Sequence, residues 1–278
     1  MRIDVLGAVR LSTDEGAVVE VAERHLRLLL ASLVAANGEP VSADTLSDRL
    51  WDGDLPVNPK KVLQAKLSRL RTVLDQARPG SRELLTHTPG GYRLVLEPGA
   101  LDARRFKNAV QHARRRESSS QRAEALAEAL AMWRGDPFGD VAEEVWLSPV
   151  VAELHEVRGD ALGALIETLV EQGDLQEALS QANGAVEDYA TREGLVESVM
   201  LALYQLGRQH EALETFETLR RRLAEDLGVD PNPSLRELHA RILRQDPALL
   251  ASKPAAEPVA RPSVGRTNVP AQTTPLKT

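Results

Sequence analysis

Asn58-Pro59-Lys60-Lys61-Val62-Leu63-Gln64-Ala65-Lys66-Leu67-Ser68-Arg69-Leu70-Arg71-Thr72-Val73-Leu74 is the stretch whose reading decides the fold. A capping Asn followed by Pro in the first helical position opens a helix, and Leu63, Leu67, Leu70 and Leu74 recur at helical spacing along it. That stripe must be buried. Lys61, Gln64, Ala65, Ser68, Arg69 and Thr72 then lie on or near the opposite face, flanked by Lys60, Lys66 and Arg71. Such a face suits a DNA major groove. Lys and Arg neutralise phosphates and set register, while Gln and long basic side chains pair with base edges, each contact worth about 1–3 kcal/mol of discrimination. Taken alone, the same charges also fit a solvated surface helix.

The sequel favours the groove. Leu84 to Leu96 reads as two β-prone runs around the turn Pro89-Gly90-Gly91. Glycines let such a turn take positive φ and bring its backbone close to a ligand, and His87 and Arg93 place donors beside it. From Asp54 to Arg93 there are eight Lys/Arg against three Asp/Glu, whereas the whole chain carries a net charge of −7. The basic excess is therefore local. A cationic helix followed by a glycine-turned hairpin reads as the recognition helix and wing expected of a winged-helix reader of double-stranded DNA.

Upstream, Arg2–Leu6, Ala8–Leu11 and Ala17–Val21 read as short strands separated by Gly7 and by Thr13-Asp14-Glu15-Gly16. Leu26, Leu29, Leu30 and Leu33 mark an amphipathic helix stopped by Asn37-Gly38-Glu39-Pro40. Ser42 caps the next helix, Ala43–Trp51, whose Leu46, Leu50 and Trp51 share a side and support the reader helix across the loop Asp52–Val57.

Downstream, Glu97-Pro98-Gly99 ends the wing and helical periodicity takes over, which places a domain boundary near residue 98. The first helices span about Asp102–Arg116 and Gln121–Trp133; their Arg104, Arg105, Lys107 and Arg114-Arg115-Arg116, like Arg220-Arg221-Arg222 later, read better as solvated faces than as phosphate contacts. Gly173-Asp174-Leu175-Gln176-Glu177-Ala178-Leu179 then aligns with Gly207-Arg208-Gln209-His210-Glu211-Ala212-Leu213 at an offset of 34 residues, and Leu169 matches Leu203 at the same offset. Thirty-four is the tetratricopeptide period. Each Gly ends one helix and each Ala lets the next pack closely; an ordinary helical bundle is the competing reading.

The expected fold is thus mainly α with a small β component, a winged helix-turn-helix domain (1–98) followed by an all-α tetratricopeptide-like helical domain (99–246) and a Pro/Ala/Ser/Thr-rich flexible tail or linker (247–278). A length of 278 residues with 42% hydrophobic composition supports two packed domains. No apolar run approaches the roughly 18 residues needed to cross a bilayer, and Met1-Arg2-Ile3-Asp4-Val5 lacks a signal peptide's apolar block. With no cysteine there is no disulfide or thiolate zinc site. The chain is expected in the cytoplasm, associated with the nucleoid and not with a membrane. Its acidic balance argues against a nonspecific nucleic-acid coat and permits one basic face.

Val5-Leu6-Gly7, Leu46 to Trp51, Ala65-Lys66-Leu67-Ser68-Arg69-Leu70-Arg71 and Thr88-Pro89-Gly90-Gly91-Tyr92-Arg93-Leu94 together resemble the winged helix of OmpR-type regulators, and more closely that of the Streptomyces antibiotic regulatory protein (SARP) family of transcriptional activators. Trp133 to Phe138, Ala202 to Gln209 and Leu227 to Leu235 resemble the bacterial transcriptional activator domain that follows it in that family. The resemblance covers about Arg2 to Arg244. It implies DNA contacts by Lys60, Lys61, Gln64, Lys66, Ser68, Arg69 and Arg71 on the helix and by Thr86, Thr88 and Arg93 on the wing. It further implies promoter direct repeats bound by a side-by-side pair, recruitment of RNA polymerase holoenzyme including its sigma factor, and control of a secondary-metabolite gene cluster. Two positions depart from the family pattern. Glu23-Arg24-His25-Leu26-Arg27 stands where relatives carry a Lys-Gln-Arg phrase, so phosphate contacts are not expected there, and Ser68 replaces a second basic residue of many response regulators, shifting base readout toward Lys61, Gln64 and Lys66.

Arg266-Thr267-Asn268-Val269-Pro270 resembles the phrase that in large members leads into a nucleotide-hydrolysing module, but no phosphate loop ending in Gly-Lys-Ser/Thr occurs, so the expectation is a short member or a piece of a larger one. An enzyme reading lacks chemistry. The six histidines are scattered, neither His-Glu-x-x-His nor Gly-x-Ser-x-Gly is present, and no catalytic residue, metal or cofactor is expected. A helical-repeat adaptor without specific DNA readout remains the alternative; it leaves the cationic helix and glycine wing unexplained.

Overall fold

The structure, a computed structural model, describes residues 1–189 and 191–250. Strands β1 (Arg2–Asp4), β2 (Arg10–Ser12) and β3 (Val18–Val19) form an antiparallel sheet in which Ile3 pairs with Leu11 and Leu11 with Val19. They are shorter than the sequence reading because the backbone of residues 5–8 bonds outside the sheet. Val5 and Leu6 donate their N–H groups to the Asp102 carboxylate, and their carbonyls accept from Phe138 (2.7 Å) and Arg134 (2.8 Å).

Helices α1 (Arg24–Ala35), α2 (Ala43–Trp51) and α3 (Pro59–Ala77) pack on one another, and α3 also leans on β2 and β3. Their ends follow local chemistry. Asn37 and Gly38 take positive φ after α1, and the Ser42 side chain accepts from Thr45 N at the start of α2 (3.0 Å). Leu26, Leu29, Leu30 and Leu33 of α1 and Leu63, Leu67, Leu70 and Leu74 of α3 are all buried, so the two periodic stripes meet in one core. The hairpin β4 (Leu85–Thr88) and β5 (Gly91–Leu94) follows, with Leu85 opposite Leu94 and Thr88 opposite Gly91.

The remainder is helical: α4 (Asp102–Ala113), α5 (Ser119–Leu130), α6 (Ser148–Gln172), α7 (Leu175–Ala182), the short α8 (Ala185–Asp188), α9 (Glu193–Gln205), α10 (Gln209–Asp226) and α11 (Pro233–Leu243). The fold is thus mainly α with a small β component, as the sequence reading expects. The α6–α7 and α9–α10 pairs close in the same way. Gly173 and Gly207 take φ of +81° and +75°, and the next residue's N–H reaches back five positions, Asp174 to the Leu169 carbonyl and Arg208 to that of Leu203, each 2.9 Å. Ala178 and Ala212, one turn into the following helices, are fully buried. A 3-10 turn at Pro247–Leu250 carries the helical body four residues into the segment read as tail; Leu249 is buried and its carbonyl accepts from Gln205 Nε2 (2.9 Å). The rest of the expected tail, 251–278, lies outside the described residues.

Residues 1–9 join the two halves. Ile3 donates to the Ala100 carbonyl (2.7 Å), and Ala8 bridges Phe138, a fully buried side chain on a backbone of φ +65°. A Cβ on Gly139 would stand 2.6 Å from the Ala8 Cα, so only glycine permits this approach. At the centre sits Asp102, 2% exposed, whose carboxylate accepts from Val5 N (2.8 Å), Leu6 N (3.1 Å), Ala103 N (2.7 Å) and Arg134 Nη2 (2.8 Å). Four donors offset the desolvation of one buried charge.

Candidate nucleic-acid interface

The start of α3 is set by Asn58, whose side chain accepts from Lys61 N (3.1 Å), and by Pro59 in the first turn. Burial of the leucine stripe turns Lys60, Lys61, Gln64, Ser68, Arg69 and Thr72 outward, all exposed. Among the described residues, the side chains of Lys60, Lys61 and Gln64 have no hydrogen-bond or ion-pair partner. The first two turns of the helix therefore carry two uncompensated cations beside a free carboxamide. A free carboxamide can both donate to and accept from a base edge, and cations seat against phosphate.

The other basic residues of α3 sit differently. Lys66 is half-buried and its Nζ forms an ion pair with Glu23, the residue that precedes α1; Arg69, 68% exposed, reaches the other oxygen of the same carboxylate at 3.3 Å. The hydrogen bond from Lys66 holds the Glu23 carboxyl below its ordinary range, with the charges of Lys66 and Arg69 adding to the effect and burial opposing it. Arg71 points to the wing. Its Nε and Nη2 both donate to the Leu85 carbonyl, at 3.1 and 2.9 Å, so this guanidinium fastens the recognition helix to β4.

In the wing, Pro89 and Gly90 are exposed at the tip, while Gly91, with φ +124°, is buried against the strand entering α2. Val41 and Tyr92 exchange two backbone hydrogen bonds of 2.8 Å each, and a Cβ on Gly91 would stand 2.0 Å from the Val41 carbonyl oxygen. The wing is thereby a third strand-like contact on the body and not a free hairpin. Thr86 and Thr88 are half-buried, their hydroxyls donating to the carbonyls of Arg93 (3.4 Å) and Gly91 (3.2 Å). Arg93 is half-buried, its Nε enclosed with no acceptor among the described residues, and the His87 ring packs against Tyr92 at 4.9 Å between centroids. Arg71 ties the wing to α3, and the Val41–Tyr92 pair ties it to the segment entering α2.

Several residues that shape this surface carry no mark in the sequence. Glu23 reads only as a helix-flanking acid, and nothing in its neighbours announces the cations 43 and 46 positions later. Arg24 and Arg27 of α1 turn away from α3 and bind Glu144 (2.7 Å) and Asp140 (2.6 Å) of the helical half. Arg49 of α2 lies over the Trp146 ring at 4.7 Å and donates to Ser32 Oγ at 2.7 Å. In the helical half, α7, α9 and α10 leave a groove lined by Leu179, Val196, Val199 and Leu203 together with Arg208 and Glu211. Among the described residues, no helix is long and apolar enough to cross a membrane, and no group of three or more His, Asp or Glu side chains is placed to hold a metal ion.

Comparison with known proteins places both halves. Residues 101–243 match the family described as bacterial transcriptional activator domain, and residues 16–94 match that described as transcriptional regulatory protein, C terminal. The chain is 35% identical to the transcriptional regulator RedD of Streptomyces coelicolor over 90% of its own length and 72% of RedD. It is also 35% identical to the regulatory protein AfsR of the same organism over 98% of its length, although it spans only 27% of AfsR. Among solved structures, Mycobacterium tuberculosis EmbR in complex with a low affinity phosphopeptide superposes with a TM-score of 0.78 at 30% identity, covering 91% of this chain and 68% of that one.

Proposed function

Because the chain belongs to the SARP family of transcriptional regulators, we propose that it activates transcription by reading promoter direct repeats as a side-by-side pair and recruiting RNA polymerase holoenzyme, sigma factor included, at a secondary-metabolite gene cluster. The observation that carries the proposal is the face of α3, where Lys60, Lys61, Gln64, Ser68 and Arg69 are exposed together on the helix to which Arg71 ties the wing. In this reading Gln64 and Lys61 address base edges, Lys60 and Arg69 seat on phosphates, and Thr86, Thr88 and Arg93 lie nearest the neighbouring minor groove. Lys66 and Ser68 border the base-reading positions. Arg71 contributes by placing the wing.

The helical half is the natural site for a protein partner, since helix pairs of this kind present concave surfaces and the groove between α7, α9 and α10 is lined by apolar and charged side chains together. Work on DNA places the protein in the cytoplasm. The test is binding to promoter fragments from the gene neighbourhood over a range of salt, with unrelated duplex as competitor and polymerase in a second series. Competitor-resistant binding that strengthens with polymerase is expected; Lys61→Ala should weaken it and relax its sequence preference without changing the melting temperature, whereas Lys60→Ala should weaken all duplexes alike and lower the salt slope by about one. Folded protein that binds no duplex in a salt-dependent manner would overturn the reading in favour of a protein-binding adaptor.

A further inference from the structure

Glu23 is the one acidic side chain that reaches the recognition helix with ion pairs among the described residues, and it takes two cations at once. Its position is unusual for a carboxylate that precedes a helix. It makes no capping hydrogen bond to α1, although the helix N-terminus offers free N–H groups; both oxygens turn sideways to α3, one to Lys66 Nζ and one to Arg69 Nη1. His25 Nδ1 lies 3.7 Å from the same carboxylate. The contact is partly sheltered, with Glu23 27% and Lys66 21% exposed, so solvent screens it less than an open surface pair. Lys66 and Arg69 with Glu23 therefore present DNA with a net charge of +1, where the two cations alone would present +2.

We propose that Glu23 is an affinity-tempering residue that lowers the attraction of the recognition helix for phosphate of any sequence, leaving discrimination to Lys61, Gln64 and their neighbours. The inference rests on the DNA-reading function proposed above. A specific complex repays the lost phosphate attraction through base contacts, and a nonspecific one has nothing to repay it with. The carboxylate thus weakens both kinds of complex alike and leaves the ratio between them to the base contacts, so that at a given salt concentration the nonspecific complex is the first to be lost.

The probe is a 30-base-pair duplex of scrambled sequence, labelled for fluorescence anisotropy and titrated with the full chain across a salt series. Removing one unit of negative charge from the contact should steepen the slope of log K against log salt by about 0.9 in Glu23→Gln. Referred to 1 M salt, where this contribution vanishes, that is about eightfold tighter nonspecific binding at 0.1 M. In a Lys66→Met/Arg69→Ala background the same substitution should lose most of its effect, because the cations it releases are gone. Circular dichroism melts establish that the variants fold, and Glu23→Asp, which keeps the negative charge beside both cations, should leave the slope close to that of the unsubstituted chain.

Weaker nonspecific binding by Glu23→Gln, or an unchanged slope, would overturn the proposal and make Glu23 a scaffold that orients Lys66 and Arg69 toward DNA. Failure of the underlying DNA-reading function looks different. In that case the unsubstituted chain shows no salt-dependent binding to duplex at all, and Lys61→Ala changes nothing.

Discussion

Replacing Asp102 by Ala should destabilise the whole chain by about 3–5 kcal/mol, the range for removing one partner of a buried, hydrogen-bonded charge pair. The structure supplies the reasons for this size. The carboxylate is 2% exposed and receives the Val5, Leu6 and Ala103 N–H groups and the Arg134 guanidinium at 2.7–3.1 Å. The Ala103 N–H lies in the first turn of α4, but those of Val5 and Leu6 lie where the two halves meet, and each costs about 1–3 kcal/mol if left without an acceptor. Arg134, 30% exposed, recovers part of its hydration when the carboxylate goes. Arg134→Met is the control. It leaves Asp102 with three backbone donors and should cost less, about 1.5–3 kcal/mol. Urea unfolding followed by far-ultraviolet circular dichroism and by tryptophan fluorescence measures both, since Trp133 sits beside Arg134 and packs on Phe106 at 5.5 Å. If Asp102→Ala unfolds within about 1 kcal/mol of the unsubstituted chain, or if Arg134→Met costs as much, the buried carboxylate does not join the two halves in the way argued.

Gly91→Ala should lower stability by at least about 3 kcal/mol and detach the wing, because φ is +124° and the new Cβ would stand 2.0 Å from the Val41 carbonyl oxygen; Gly90→Ala, whose Cβ meets only Pro40 side-chain atoms from 3.4 Å, is the tolerated comparison in a thermal melt. Arg71→Met should cost about 1.5–3 kcal/mol by losing the charged hydrogen bonds to the Leu85 carbonyl, and it should weaken duplex binding with an unchanged salt slope, whereas a direct phosphate contact would lower that slope by about one. His239 stacks on Phe216 at 3.9 Å, and burial lowers its pKa below the ordinary 6.5. The unfolded chain then binds more protons below 6.5, so stability should be lost as pH falls from about 7 through the depressed value; melts of His239→Phe across this range should show a flatter acid limb, and an identical pH dependence would remove His239 as its source.

What the sequence determined is whatever depends on neighbours within a few positions. The leucine stripe of α3, its Asn58-Pro59 start, the Ser42 cap and the Gly173 and Gly207 helix ends are settled by spacing and local hydrogen bonding, and they stand as read. The exposed Lys60, Lys61 and Gln64 were legible for the same reason: burying the stripe leaves them nowhere else to point. Strand lengths at the N-terminus were not legible, because Val5 and Leu6 bond to residues near 102 and 134–138 and not along their own sheet.

Only the tertiary structure decided which basic residues are free. Lys61, Lys66, Arg69 and Arg71 are alike as letters on one helix, yet the first faces solvent, the next two share Glu23, and the last clasps the Leu85 carbonyl. Helical period assigns a side chain to a face but not a partner to its tip, and a long cationic side chain can turn toward groups several ångströms to either side. The partners here come from segments 14 to 46 residues away, brought close by burial of leucines that say nothing about charge. Hydrophobic patterning is read from the chain because it repeats; charge pairing across the fold does not repeat, so it exists only once the segments have met.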